Sequence, residues 1–204
     1  PKSLWKDIPS DKNDTFWKED DVSTNDKLGN KNIVVSSKRG RSHKNVGSFR
    51  DDDFAYKSFE KTGWSVIAVS DGAGSYSLSR KGSQLACNSI IEYFEYHSDA
   101  EKSKEFEDKI NEYNNSKGDS LLKEIEVLAK QNLYKATVYV HNKIKEHSEQ
   151  TFKSNPELFN NPKAKSPIDY YHSTLIFALF KKYDFGYVIL TFGVGDCPIA
   201  IVNK

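Results

Sequence analysis

Apolar and polar positions along this chain follow two rhythms, one of strands and one of helices. Val66-Ile67-Ala68-Val69 is a short, β-branched apolar run bounded by turn residues, which predicts a buried strand. An acidic glycine turn follows, Ser70-Asp71-Gly72-Ala73-Gly74-Ser75. A helix is then expected over about 79–96, with Leu85, Ala86, Ile90, Tyr93 and Phe94 on its buried face. Ser77 or Ser79 would serve as its N-cap. The stretch from Trp64 to Ala86 is the one around which the other elements arrange themselves.

A second helix is predicted where Leu121, Ile125, Leu128, Ala136, Val140 and Ile144 recur at three- and four-residue steps or their sums. Residues 98–119 are rich in Lys, Glu, Asn and Ser, with Phe106, Ile110 and Tyr113 at a rough helical period, and predict a solvated helical insertion. Residues 148–171 contain three prolines and several asparagines and predict an irregular surface excursion. Further strands are expected at 32–37, 50–56, 173–180, 185–194 and 198–202, with turns at Tyr183-Asp184 and Gly195-Asp196. Residues 38–49 form a basic loop. Residues 1–30 read as a polar leader that either docks Trp5, Ile8, Phe16 and Trp17 onto the body or stays partly disordered. Strands, then two helices, then strands again is a segregated order, not a βαβ alternation. It predicts an α+β fold of antiparallel sheet with helices on its outer face.

Composition narrows the function classes. The 204 residues suffice for one domain with a sizeable core, and 30 Lys+Arg against 29 Asp+Glu leave a net charge of +1. Such a balance gives no overall field to recruit nucleic acid or an anionic membrane. The longest apolar runs, such as 174–180, are far too short to span a bilayer. Cys87 and Cys197 make neither a disulfide framework nor a metal-ligand spacing, which points to a reducing, cytoplasmic setting. A chain that starts at Pro1 and contains no methionine reads as a piece of a longer protein.

The acidic turn at Asp71 admits three readings. Asp-Gly is a common turn dipeptide, so it could be a plain connection. Gly72-Ala73-Gly74 between strand and helix resembles a dinucleotide loop, but Ser77 stands at the third glycine position. The acidic residue wanted about 20 positions on would be Glu92, inside the helix. The third reading is a metal site, in which a strand-end carboxylate and a glycine carbonyl offer oxygen to a hard divalent cation. Asp51, Asp52 and Asp53 favour it. Two such charges ~4 Å apart repel by about 4 kcal/mol at an effective dielectric of 20, a cost that solvation or a cation relieves. Strand alternation sends Asp52 one way and Asp51 and Asp53 the other. Asp52 can therefore meet Asp71 if the two strands pair.

Four motifs now stand in order: Arg50-Asp51-Asp52 entering a strand, Val69 to Ser75, Ser173-Thr174-Leu175, and Gly193-Val194-Gly195-Asp196-Cys197. Together with Ser42-His43 before the first acidic pair, this order resembles the type 2C metal-dependent Ser/Thr protein phosphatases, in their divergent bacterial branch. The resemblance implies a four-layer α-β-β-α sandwich of antiparallel sheets flanked by helices, of which residues 31–204 would be the N-terminal part. By position, Asp52 and Asp51 resemble the first acidic pair, and Asp71 resembles the metal-bridging aspartate. Gly72 would offer its carbonyl, and Asp196 stands where some members hold a third ion, although Gly-Asp is also an ordinary hairpin turn.

The implied activity is hydrolysis of phosphoserine or phosphothreonine in proteins phosphorylated by a Ser/Thr kinase pathway. Two Mg²⁺ or Mn²⁺ ions would activate a shared water for in-line attack, with Asp52 and Asp71 as catalytic ligands. The sequence departs from the family where an arginine usually captures phosphate; that place is Gly47. Arg50, Arg41, Lys44 or His43 are the candidates to replace it. A histidine found after the Asp-Gly pair in animal members is here Ala73. His43 is open to three readings: proton donor, phosphate ligand or loop residue. His172 is expected to be structural. Family members also carry later metal aspartates, and nothing between 149 and 204 resembles them. The second reading is therefore an inactive phosphatase-like module that binds phosphoproteins or a partner.

Overall fold

The structure is a computed structural model, and it describes residues 4–98 and 100–202. Its architecture is α+β. Among the described residues there are two antiparallel sheets and four α-helices. Strands β1 (Asp21–Leu28) and β2 (Lys31–Lys38) form a two-stranded hairpin. Strands β3 (Asp53–Phe59), β4 (Trp64–Ser70), β5 (Leu175–Tyr183) and β6 (Gly186–Val194) form a sheet in that spatial order. The helices are α1 (Arg41–Val46), α2 (Ser79–Glu92), α3 (Ala100–Ser116) and α4 (Asp119–Ser154).

Strand alternation builds the core. Trp64, Val66 and Ala68 of β4 and Leu175, Phe177 and Leu179 of β5 are buried on one face. Against that face pack Ala86, Cys87 and Ile90 of α2, Phe106 and Ile110 of α3, and Ile125, Ala129, Ala136 and Val140 of α4. Ladder partners share a face, so Ile67, Val69, Ile176 and Ala178 lie half-buried on the other. The described elements thus place a helical layer on one sheet; the full four-layer sandwich is not shown by them.

Several expectations change. α2 continues through a π-helical turn, Tyr93–His97, close to the expected helix end. Its N-cap is Leu78, without a side-chain cap, and not Ser77 or Ser79. The basic loop at 38–49 contains the one-and-a-half-turn helix α1. The predicted excursion at 148–171 begins as helix, because buried Ser148 and Thr151 let α4 run on to Ser154. It then forms a 3-10 turn, Pro167–Tyr171, closed by a reciprocal Ser166–Asp169 capping box. Tyr170 and Tyr171 of that turn are buried against Leu78 and Phe16. Residues 198–202 are not a strand: they have no ladder partner among the described residues, and Ile201 and Val202 are exposed.

The leader is also more than loose sequence. Its residues 21–28 are strand β1, and the preceding turn is built by side chains that bond their own backbone. Asp11 Oδ1 accepts from the Asn13 N–H at 2.9 Å, and Asp14 Oδ1 accepts from the Phe16 N–H at 2.7 Å. Ser10 joins the two ends of this segment, donating to Asp20 at 2.6 Å and accepting from Trp17 Nε1 at 3.0 Å.

Candidate metal and phosphate site

The antiparallel register of β3 and β4 pairs Asp53 with Ser70, so Asp52 and Asp71 come next, just beyond the ladder. Their carboxyl groups are in hydrogen-bonding contact. That contact, burial, and the charges of Asp52 and Asp196 raise the Asp71 pKa from 3.8 to about 6. Asp71 is held in place from the other side by Thr174. Its N–H donates to Thr174 Oγ1 at 2.9 Å, and its carbonyl accepts from the Thr174 N–H at 2.8 Å.

Gly72 makes an isolated antiparallel bridge with Ser173. The bridge's hydrogen bonds run through Asp71 and Thr174 on one side and Ala73 and His172 on the other. In that geometry the Gly72 carbonyl points away from β5 and is not consumed by the sheet. A Cβ at Gly72 would lie 2.7 Å from the Asp51 carbonyl oxygen and 3.0 Å from the Ser79 backbone. Only glycine fits there.

Asp196 arrives from β6 through Gly195, whose φ of +105° and close approach to Thr174 both demand glycine. The side-chain donor atoms of Asp71, Asp196 and Cys197 lie within 4.8 Å of one another. Cys197 Sγ also sits 3.5 Å from Thr174 Oγ1.

The three adjacent aspartates avoid mutual repulsion by going to different partners. Asp52 faces Asp71. Asp51 Oδ2 lies 3.6 Å from His43 Nδ1; burial pushes its carboxyl up, against the pull of His43, Arg80 and Lys18. Asp53 turns inward to Lys18 at 3.0 Å and Arg50 at 3.6 Å. His43 Nδ1 lies 2.6 Å from the Phe49 carbonyl, which can only accept, so Nδ1 carries the proton. Nε2 is then free, and it is this atom that lies nearest the Gly74 turn.

The remaining basic candidates are placed differently. Arg50 is 4% exposed, and its guanidinium donates to the Glu19 carbonyl at 2.8 Å and Ser37 Oγ at 2.7 Å. It is a bolt between the leader, β2 and the acidic loop, and burial takes it out of reach of a phosphate. Arg41 is exposed at the start of α1, its guanidinium 6.0 Å from the Trp5 ring. Lys44 reaches toward Asp21 at 3.8 Å. Gly47, where the family usually has arginine, is the left-handed C-cap of α1 with φ of 71°. His172 bonds the Asp169 carbonyl through Nδ1 at 2.6 Å and packs on Tyr76.

Lys18 was not legible as part of the site. Its Nζ reaches the carbonyls of Asp51 at 3.4 Å and Asp52 at 2.9 Å, besides the Asp53 carboxylate. Burial draws its pKa down, while Asp53 holds it up.

The candidate donors are mostly hard oxygen atoms, the carboxylates of Asp52, Asp71 and Asp196 and the Gly72 carbonyl, with the Cys197 thiol beside Asp71 and Asp196. The crowding that raises the Asp71 pKa to about 6 is one that a divalent cation would relieve. The residues present therefore fit Mg²⁺ or Mn²⁺.

Comparison with curated proteins gives no match, and comparison with solved structures gives none. The family model described as protein phosphatase 2C matches residues 39–204, most of the chain. The match includes every acidic residue of the site, and the resemblance carried by the four motifs is thereby established. The chain belongs to the protein phosphatase 2C family.

Proposed function

We propose that this chain takes part in metal-dependent hydrolysis of phosphoserine and phosphothreonine in phosphorylated proteins, within the α-β-β-α sandwich of its family. The observation that carries the reading is the meeting of Asp52 and Asp71, with Asp196 beside them, at one edge of the sheet. Asp52, Asp71 and the Gly72 carbonyl would hold Mg²⁺ or Mn²⁺, Asp51 would support the pair from behind, and Asp196 would serve a third, weaker ion. Bound divalent ions supply an activated water and neutralise charge on the phosphoryl oxygens.

The chain's own groups do the rest. Thr174 fixes the Asp71 backbone on both sides, so that the carboxylate needs no reorganisation to bind. His43 Nε2 faces the turn and, in the imidazolium form that carries a proton on both nitrogens, can give that proton to the leaving serine or threonine oxygen, or a hydrogen bond to phosphate. Arg41 and Lys44, on the same short helix, are the cations left to draw in a phosphorylated segment. Neither cysteine is needed as a nucleophile; burial pushes the Cys87 thiol far up, which keeps it inert. Among the described residues no helix is long and apolar enough to cross a membrane. Two free thiols are consistent with a reducing cytoplasm.

Phosphate release from a phosphothreonine peptide tests the proposal. It should be measured with Mn²⁺, with Mg²⁺ and with a chelator, on this chain and on any longer natural product containing it. The expected result is metal-dependent release that Asp71→Asn abolishes. Peptide binding without release under every condition would overturn the enzymatic reading in favour of a recognition module.

A further inference from the structure

The geometry points to Lys18 as a positioning residue for the metal ligand Asp52, supplied by a segment that lies before the family domain; this inference rests on the functional reading above. The family match begins at residue 39, yet Lys18 Nζ sits beneath the acidic loop with its side chain only 8% exposed. A buried ammonium is costly unless its hydrogens and charge are matched. Here it has three N–H donors for five acceptors: the Asp51 and Asp52 carbonyls, the Asp53 carboxylate, the Arg80 carbonyl at 3.2 Å and Ser83 Oγ at 3.4 Å.

Which acceptors it holds decides what it does. The Asp51 carbonyl belongs to the peptide plane before the Asp52 Cα, and the Asp52 carbonyl to the plane after it. Peptide units are planar, so the backbone around one Cα is defined by the two planes that flank it. Lys18 grips both carbonyls from one point, which sets the direction of the Asp52 Cα–Cβ bond and hence of the carboxylate that meets Asp71. Ser83 Oγ reinforces the first plane, and Arg50 Nη1, at 2.5 Å, with Ser37 Oγ, at 3.3 Å, the second; among the described residues Lys18 alone reaches both. The charge of the lysine is answered by Asp53, which leaves the Asp52 carboxyl to face Asp71.

The strap that delivers Lys18 is itself anchored at both ends. Ser10 clips Asp20 and Trp17, and Arg50 Nε holds the Glu19 carbonyl, one residue after Lys18. Arg50 Nη1 also donates to the Asp52 carbonyl at 2.5 Å, whereas the Ser10 contacts tether the segment without touching Asp52. They therefore offer a way to separate positioning from mere tethering.

The experiment is Mn²⁺ titration calorimetry, with thermal unfolding of the metal-free protein, on wild type, Lys18→Met and Ser10→Ala. Lys18→Met keeps the apolar stem and removes the ammonium; Ser10→Ala loosens the same strap away from the site. Loss of such an outer partner is expected to weaken Mn²⁺ binding by about 10–100-fold. Ser10→Ala should lower the unfolding temperature while leaving Mn²⁺ affinity within about 2-fold, well short of that range. Should Lys18→Met fail to fold, Lys18→Gln, which keeps an N–H donor for the carbonyls without the charge, takes its place and should bind with intermediate affinity.

Wild-type affinity in the Lys18 variant would overturn the inference alone. So would affinities that fall in step with unfolding temperature in both variants. Absence of Mn²⁺ binding by the wild type would overturn the functional reading, and the role of Lys18 with it.

Discussion

The carboxyl of Asp52 contacts that of Asp71 across the open end of the β3–β4 ladder, and this contact, with burial, raises the Asp71 pKa to about 6. This makes Asp71 a liability in the metal-free protein. Its folded pKa, about 6, is above its ordinary 3.8, so its contribution favours folding below about pH 3.8 and is lost as pH rises through 6. Metal-free Asp71→Asn should accordingly unfold at a higher temperature than wild type near neutral pH, and the gap should close below about pH 3.8. Added Mn²⁺ should reverse the order, because it stabilises only the protein that binds it. Thermal unfolding across pH, with and without Mn²⁺, checks both signs.

Gly72 is confined by the Asp51 carbonyl and the Ser79 backbone, and backbone atoms cannot swing aside as a side-chain tip can. Gly72→Ala should cost about 1–3 kcal/mol of stability, the usual price of forcing an extra methyl into packed surroundings. The displaced Asp51 would move Asp52 as well, so Mn²⁺ affinity should fall together with the unfolding temperature. Chemical denaturation and calorimetry on the same preparation measure the two effects.

Arg50 and His43 were both among the candidates for phosphate contact on sequence grounds, and their burial separates them. Arg50→Met should destabilise the fold by about 3–5 kcal/mol, since Asp53 loses one of two buried cationic partners, with little change in KM. His43→Gln should leave stability nearly unchanged and act on turnover instead. A proton-donor role predicts a fall in kcat of about 10²-fold or more, and a phosphate-ligand role a rise in KM. Steady-state kinetics that show neither change would remove His43 from the site.

Much of this was legible from local pattern. The β4 run, the helical periods of α2 and α4 and the alternation of β5 report directly on burial, because each element hides one face. The acidic residues were legible because their motifs follow in a fixed order along the chain. Lys18 was not: a lysine among polar residues looks the same whether it is solvated or caged, and its partners lie 33 to 65 positions away. Arg50 stood as a candidate phosphate ligand by its place in the motif; its burial depends on Glu19 and Ser37, which only the fold brings near. The extension of α4 to Ser154 rests on buried Ser148 and Thr151, two small polar residues that carry no apolar signal. Residues 198–202 show the converse. Apolar alternation predicts a strand only where a partner edge exists to receive it.

The most direct measurement is an anomalous difference map from crystals of this chain soaked in Mn²⁺. A peak within coordination reach of the Asp52 and Asp71 carboxylates, lost in Asp71→Asn, is the expected result. A map without a peak there at saturating Mn²⁺, or with Mn²⁺ bound only elsewhere, would contradict the assignment of this acidic cluster as the metal centre.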